Sequence, residues 1–264
     1  MGDPMTEVLV FSLLIGAFVG FSAGYLGSLI VLEKMALVGD ALSHVALPGL
    51  ALGLLYNFNP FFGAFTFLFT SAVIIWYLGR VTKLSFETLV GAVFTLALAL
   101  GILLVPEPDL LEALFGSITE VSLFDATISV VISIVVVFLT LLIHKKIILG
   151  LISEELAVSK GINIARLNLL YLLLVSLIVA TGIKITGTLL VGFLVVTPAA
   201  AAKTISPNLS RYFALSAIFG LISSVSGIVL SSHLNVLPGP LVVLAGVTIF
   251  VIVVMLRWRL KLAA

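Results

Sequence analysis

Residues 122–143 read SLFDATISVVISIVVVFLTLLI and are followed by His144, Lys145 and Lys146. A helix needs about 20 mostly apolar residues to cross the hydrocarbon core of a bilayer, and this run is long enough. Basic residues directly after such a run are typical of the cytoplasmic end of a spanning helix. The stretch therefore predicts a membrane helix that ends on the cytoplasmic side.

The rest of the chain repeats this pattern. Of the 264 residues, 62% are hydrophobic and only 9% are charged, whereas soluble domains carry about 25% charged residues. The apolar runs predict spans at 8–32, 37–56, 60–79, 87–105, 122–143, 167–183, 185–202, 212–230 and 239–256. The sixth and seventh share one short stretch, so one of them could instead be re-entrant or broken. The predicted fold is all-α: one transmembrane helix bundle over 1–264, with eight to nine spans.

Basic residues assign an orientation to these spans. Nearly all of them follow odd-numbered spans, which by the positive-inside rule places those loops in the cytoplasm. Lys184, between the sixth and seventh spans, is the exception. Residues 1–7 contain no lysine or arginine, so the first run is predicted to be a spanning helix and not a cleaved signal. We expect a multi-pass protein of the cell (inner) membrane, with its N-terminus outside and its C-terminus cytoplasmic. The residues that follow odd-numbered spans are Lys34, Arg80, Lys83, Lys145, Lys146, Lys160, Arg166, Lys203, Arg211, Arg257, Arg259 and Lys261.

Several chemistries lack the residues they need. The chain has no cysteine, so disulfides and thiolate metal ligands are excluded. Residues 182–188 imitate the spacing of a phosphate-binding loop, but Thr188 stands where that loop requires lysine. No His-Glu-x-x-His pattern of a membrane metalloprotease occurs. We therefore expect no enzymatic activity, no bound cofactor and no nucleic-acid partner; if ATP drives this protein, another subunit hydrolyses it.

Asp40 and His44 form the candidate metal site. Asp40 is the one carboxylate clearly inside a predicted span, and an ionisable residue there indicates function by default. His44 lies four residues later, on the same helix face. Carboxylate oxygen and imidazole nitrogen together suit zinc, manganese and iron. The alternative is an Asp–His hydrogen bond that only ties helices together, and the spacing alone leaves both open.

Prolines and glycines predict irregular or closely packed helices. Pro48 and Gly49, after His44, and Pro198 predict helix kinks, because proline cannot donate the backbone hydrogen bond of a regular helix. Freed carbonyls are tolerated in a membrane where they line a cavity. Gly16, Gly20 and Gly24 repeat at four-residue spacing, which favours close helix packing within the bundle or at a dimer seam.

The longest predicted cytoplasmic connection covers about 144–166. Ser153 is placed to cap a helix N-terminus, and Glu154 and Glu155 would lie in its first turn. The pattern predicts a short helix on the cytoplasmic face. From these residues alone, a solvated loop without a partner is the simpler interpretation.

Four stretches together resemble the permease subunits of metal-type ABC importers, the zinc, manganese and iron family. Residues 35–49 read MALVGDALSHVALPG and resemble that family's signature, and 114–118, LFGSI, resemble its outer-loop motif. Residues 155–163, ELAVSKGIN, are similar to the segment that docks on the ATPase. Residues 187–201, GTLLVGFLVVTPAAA, resemble its late helix. The matches are collinear and cover nearly the whole chain.

The resemblance implies the partners and the roles of several residues. It implies a homodimeric permease, a cytoplasmic dimer of ATPase subunits that binds ATP, and an extracellular or periplasmic metal-binding protein. It favours the ion pathway for Asp40 and His44 and a coupling helix within 144–166. The residues expected to contact the ATPase are Glu154, Glu155, Ala157, Lys160, Gly161 and Asn163.

The transported metal is expected to be zinc, since the Ser-His-Val-Ala-Leu run from Ser43 and the rather short chain resemble the zinc branch. Pro48 resembles the manganese branch, so manganese is second and iron third. A secondary metal-ion transporter is less well supported, because it would need carboxylates in several spans and often an inverted repeat. A vitamin B12 or haem-type permease should be longer and needs no carboxylate–imidazole pair.

Overall fold

The computed structural model describes residues 4–82, 84–105, 110–116 and 121–262, which form eleven helices and no strand. Eight segments are long and apolar enough to cross a bilayer, which confirms the predicted all-α, multi-pass membrane fold. The helices are α1 (Pro4–Leu32), α2 (Ala36–Val45), α3 (Leu47–Leu55), α4 (Pro60–Thr82), α5 (Phe86–Leu104), α6 (Leu110–Phe115), α7 (Leu123–Ile152), α8 (Glu154–Ser159), α9 (Ile164–Ile205), α10 (Leu209–Leu234) and α11 (Pro238–Leu262).

Helix α9 is a helical hairpin. Its backbone leaves helical geometry at Gly187, where φ is 73° and ψ is 169°. Beyond that turn the chain returns, because a Cβ on Gly182 would overlap the side chain of Val191. We call 164–186 the first arm and 188–205 the second arm. The second arm contains the shorter apolar helix Leu190–Ile205, which runs back through the bundle beside the eight membrane-length segments.

The turns between helices lie at the two ends of the bundle, as contacts between helix ends show. At one face Trp76 Nε1 donates to the Ala165 carbonyl at 2.7 Å, and Lys203 Nζ donates to the Val31 carbonyl at 3.3 Å. We call this end, with turns 33–35, 153–163 and 206–208, the lysine-rich face. At the other end Thr188 Oγ1 donates to the Ala113 carbonyl at 3.1 Å. We call that end, with turns 56–59 and 235–237 and helix α6, the opposite face.

The two chain ends lie at different faces. Helix α1 packs antiparallel to α10, with Gly20 against Gly220, and α10 packs antiparallel to α11, with Gly227 against Val242. The N-terminal end of α1 is therefore at the opposite face and the C-terminal end of α11 at the lysine-rich face. Which face is cytoplasmic stays a prediction from the distribution of basic residues.

Labelling of introduced cysteines tests this orientation, and the chain has no native cysteine to interfere. Tyr56→Cys and Val158→Cys are suitable because both side chains are exposed, Tyr56 at the opposite face and Val158 at the lysine-rich face. We expect a membrane-impermeant maleimide to label Tyr56→Cys in intact spheroplasts, and Val158→Cys only after permeabilisation. Labelling of Val158→Cys in intact spheroplasts would contradict the orientation.

Small residues hold the bundle together where apolar burial alone cannot, since lipid is as apolar as the helix surface. Gly20 lies against the Gly220 backbone, and Gly24 lies against the Ser216 carbonyl. Hydrogen bonds cross the same seam: Ser216 Oγ donates to the Gly24 carbonyl, and Tyr212 Oη to the Ser28 carbonyl. The glycine repeat in α1 therefore packs α1 on α10 within one chain.

Two segments differ from the expected boundaries. Helix α7 continues to Ile152, so His144, Lys145 and Lys146 lie in its last turns and not in a loop. The helix can continue because it extends beyond the hydrocarbon core of the bilayer, where the lysine ammonium groups reach water. The span predicted at 212–230 continues to Leu234, so His233 lies in the last turn of α10 and not in the loop after that span.

Candidate functional site

The second span is interrupted directly after the candidate site. Helix α2 ends at Val45 and α3 begins at Leu47, with Ala46 between them and Pro48 in the first turn of α3. Pro48 has no N–H to offer the His44 carbonyl four residues earlier, which explains why the helix cannot continue unbroken. Because of this interruption, His44 lies in the last turn of α2.

The predicted kink at Pro198 does not appear as a break. Pro198 lies inside the second arm of α9, and Gly187 alone in that helix has non-helical dihedral angles. The direction of the chain changes at Gly187 because its φ of 73° is accessible to glycine and strained for other residues. The sequence patterns included Gly187 in the stretches 182–188 and 187–201 and did not indicate a turn there.

Asp40 lies on the surface of the single chain although it belongs to a spanning segment. Its side chain is exposed, and Val38–Leu55 is one of the membrane-length segments. Gly192 of the second arm packs beside it: a Cβ at Gly192 would lie 3.0 Å from Asp40 Oδ1. The same Cβ would lie 2.5 Å from Asp40 Cα, so the absence of a side chain at Gly192 lets the second arm pack directly against α2 at Asp40.

His44 is buried one helical turn from Asp40. Its side chain is 8% exposed, and its ring lies 5.4 Å from the ring of Phe94 on α5. Its Nδ1 atom is buried and has no hydrogen-bond partner. In this helix Ser43 Oγ donates to the Asp40 carbonyl at 2.6 Å, which uses the backbone and leaves the carboxylate available.

This geometry restricts what the pair can do. Among the hydrogen bonds of the described residues, none joins the side chains of Asp40 and His44, as a simple helix tie would require. The described part of the chain also contains no cluster of three or more histidine, aspartate and glutamate side chains suited to a metal ion. One chain thus offers two protein ligands here, fewer than the four typical of a stable zinc site.

The segment expected to contact an ATPase is a short helix on the lysine-rich face. Ser153 Oγ accepts a hydrogen bond from the Leu156 N–H, which confirms the predicted N-cap of α8. Of the expected contact residues, all except Ala157 are exposed: Glu154, Glu155, Lys160, Gly161 and Asn163.

Two of the small residues in this segment differ in their surroundings. Ala157 is fully buried against the chain itself, so its side chain is not available for the expected contact with an ATPase. Helix α8 packs against α7 and α9. Gly161 has a φ of 74° and no atom within 4 Å of a built Cβ, so it is open to a partner. Asn163 caps α9 through its Oδ1, which accepts from the Arg166 N–H.

The sequence patterns did not single out Glu33, which lines a cavity of about 190 Å³ on the lysine-rich face. Tyr171 lines the same cavity, and its buried Oη has no hydrogen-bond partner. Burial raises the pKa of the Glu33 carboxyl from 4.5 to about 7. The only sequence signal was the position of Glu33 at the end of an apolar run.

This shift predicts a stability that depends on pH. Because the pKa of Glu33 is higher in the folded than in the unfolded protein, the associated stability is fully present below about pH 4.5 and is lost as pH rises through about 7. Glu33→Gln should therefore stabilise the protein at pH 8, on the order of 2 kcal/mol, and change little at pH 5. Melting temperatures in detergent at both pH values test this, with the exposed Glu87→Gln as control. A Glu33→Gln variant that melts like wild type at pH 8 contradicts it.

Comparisons with known proteins place this architecture in a family. The family model described as "ABC 3 transport family" matches residues 5–257. The manganese transport system membrane protein MntC of Listeria monocytogenes is 32% identical over 245 residues, covering 91% of this chain and 88% of that protein. The high-affinity zinc uptake system membrane protein ZnuB of Haemophilus influenzae is 31% identical over 262 residues, covering 97% of this chain and 100% of its own length.

Solved structures agree with this assignment. A chain of PsaBC from Streptococcus pneumoniae, in complex with a Fab, superposes with a TM-score of 0.84 at 31% identity and covers 97% of this chain and 95% of its own. An inward-facing putative metal-chelate type ABC transporter shares the fold, with a TM-score of 0.76 at 19% identity. The chain therefore belongs to the ABC 3 transport family, together with the manganese and zinc membrane proteins that it resembles.

Proposed function

We propose that this chain is the membrane-spanning subunit of an ATP-driven importer, and that a divalent transition metal passes between two copies of it beside Asp40 and His44. One observation carries the proposal: a carboxylate is exposed on the single chain within a spanning segment, one turn from a buried imidazole without a partner for Nδ1. A carboxylate in contact with lipid is costly, so a partner surface or a water-filled path is expected to cover Asp40.

A second copy of the chain is the simplest cover. Two copies related by a two-fold axis near Asp40 would bring two carboxylates and two imidazoles together. That set provides up to four protein ligands, whereas one chain provides two. Binding must remain weak enough for release, as in any conduction path.

We propose zinc as the transported ion, because imidazole nitrogen suits zinc well. Manganese is the second candidate, because the chain is as similar to the manganese protein MntC, at 32% identity, as to the zinc protein ZnuB, at 31%. The carboxylate oxygens of the same site would suit manganese. The donor set therefore accommodates both ions, and a growth experiment with each metal is needed to distinguish them.

A deletion strain tests the function and the metal together. A strain lacking this gene should grow poorly under chelation, and zinc supplied alone should restore growth at lower concentration than manganese or iron. The complemented strain is the control. Rescue by manganese alone would replace zinc with manganese, and growth unaffected by all three metals would contradict a metal importer.

We further propose that α8 docks on a cytoplasmic ATPase dimer, which binds and hydrolyses ATP. The helix carries Leu156 and Val158, both exposed apolar residues, together with Glu154, Glu155 and Lys160 at its two ends. Apolar side chains that are exposed to water on a short helix outside the spanning segments indicate a contact surface for another protein. A groove on a soluble partner would bury them. A metal-binding protein on the other side of the membrane would deliver the ion to the opposite face.

Gly161 provides a test of this docking. Gly161→Trp should reduce metal uptake to background while ATP hydrolysis by the assembled complex continues, because the indole would fill the space that the partner needs. Gly161→Ala introduces the same backbone strain at φ 74° without the bulk, and should retain most uptake. Normal uptake by Gly161→Trp, or equal loss in both variants, would count against docking through this turn.

A further inference from the structure

A crevice opens on the flank of the bundle at the opposite face. It has a volume of about 260 Å³, and its walls come from α3, α4, α7 and the first arm of α9, with Ala113 of α6. Helices α4 and α7 do not form a packed interface over the described residues, so the crevice is open between them. Asp40 lies elsewhere, against Gly192 of the second arm. Neither Asp40 nor His44 lines the crevice.

The walls of this crevice are mainly hydrocarbon. Leu50, Leu54, Phe61, Ile128 and Ile183 line it. On the first arm it reaches from Lys184 to Ala180, one helical turn or about 6 Å along the axis. Because the flank belongs to membrane-length helices, lipid is the molecule that meets this opening. The depth suits the first part of an acyl chain.

An ion pair stands at the mouth of the crevice. Lys184 Nζ lies 2.7 Å from Asp125 Oδ2, and the two side chains are 39% and 11% exposed. The same Oδ2 also accepts from the Ser122 N–H and hydroxyl, whereas no hydrogen bond to Oδ1 is found among the described residues. The ammonium of Lys184 has three donors and uses one here. Within the described part of the chain, both members of the pair therefore keep capacity for a further partner.

We infer that the crevice binds phosphatidylethanolamine, with the lipid ammonium on Asp125 Oδ1, the lipid phosphate on Lys184 Nζ, and the start of an acyl chain between α4 and α7. The opposite charges of the pair match the opposite charges of this headgroup. An anionic lipid would bring no cation to Asp125. A choline lipid would bring a quaternary ammonium, which has no N–H to donate to Oδ1.

Native mass spectrometry of the purified transporter tests this inference. The protein is delipidated and then exposed to an equimolar mixture of phosphatidylethanolamine, phosphatidylcholine and phosphatidylglycerol. We expect one phosphatidylethanolamine per chain to be retained preferentially. Lys184→Met and Asp125→Asn should each lower its retention about tenfold, the effect of losing one charge-assisted hydrogen bond. Lys146→Met, a matched change of an exposed lysine on the other half of α7, should leave retention unchanged.

A second variant keeps the test decisive if the ion pair proves necessary for folding. Leu54→Trp fills the crevice and leaves Asp125 and Lys184 in place, so it should also lower retention about tenfold. Equal retention by Leu54→Trp and wild type would overturn the location. Preferential retention of phosphatidylglycerol, equal retention of all three lipids, or no lipid retained by wild type would overturn the chemistry.

Discussion

Gly187→Ala should prevent assembly of a stable transporter, although it adds only one methyl group. The backbone at Gly187 has φ 73° and ψ 169°, a region that side chains strongly disfavour. A Cβ there would also overlap the Leu114 carbonyl at the end of α6. Strain and overlap together should cost about 3 kcal/mol or more, which is a large share of the stability of a folded protein.

The measurement is the monodisperse fraction in size-exclusion chromatography together with the melting temperature in detergent. Gly91→Ala in α5 is the matched control, because a built Cβ at Gly91 has no atom within 4 Å. Gly91→Ala should match or slightly exceed wild type, since alanine is the better helix former. A Gly187→Ala protein as monodisperse and as heat-stable as the control would show that the hairpin turn does not need glycine.

The same hairpin shows how far the sequence could predict the fold. Apolar runs located every spanning segment, because span length is set by bilayer thickness and can be counted in residues. They could not locate the reversal: the chain contains 22 glycines, and nothing local distinguishes Gly187 from those that pack inside helices. The contact of Gly187 with Leu114 is a tertiary one, so the requirement for glycine emerges only from the folded chain.

The sequence showed which charged residues lie near helix ends, but it did not show which residues they contact. The positive-inside pattern left Lys184 as an exception, and the structure pairs it with Asp125, 59 residues earlier in the chain. Ser153 was identified as a cap from local sequence, because capping involves residues within one turn. Burial of Ala157 was not predictable, since it depends on how α8 packs against α7 and α9.

The candidate site was identified from spacing, and its surroundings came from the structure. The i, i+4 spacing of Asp40 and His44 places both on one face of any helix. The opposite exposure of the two side chains depends on the second arm of α9 and on α5, which bring Gly192 and Phe94 to the site. Neither neighbour is close to the pair in sequence.

Asp40→Asn should lose metal uptake while the protein still assembles with its ATPase. The amide has the shape of the carboxylate but no charge, so it cannot compensate a divalent ion within the membrane. Loss of this ligand should lower uptake by about 100-fold or more, the upper end of what even supporting residues of metal sites contribute. Glu87→Gln, the same chemical change on an exposed residue, should leave uptake unchanged.

His44→Ala separates the two ligands. It should weaken zinc uptake more than manganese uptake, because imidazole contributes more to zinc binding. Removal of the ring also leaves a space beside Phe94, so stability must be measured in parallel. Equal losses for both metals, in proportion to lost protein, would assign His44 a packing role.

The most direct test of the metal path is uptake of radioactive zinc into proteoliposomes, expressed per assembled complex of permease and ATPase. Normalisation to assembled complex removes differences in folding or yield between wild type and Asp40→Asn. We predict that the wild-type complex accumulates zinc when ATP is supplied, whereas the Asp40→Asn complex stays at the level seen without ATP. Uptake per complex near the wild-type value for Asp40→Asn would contradict a metal path at this site.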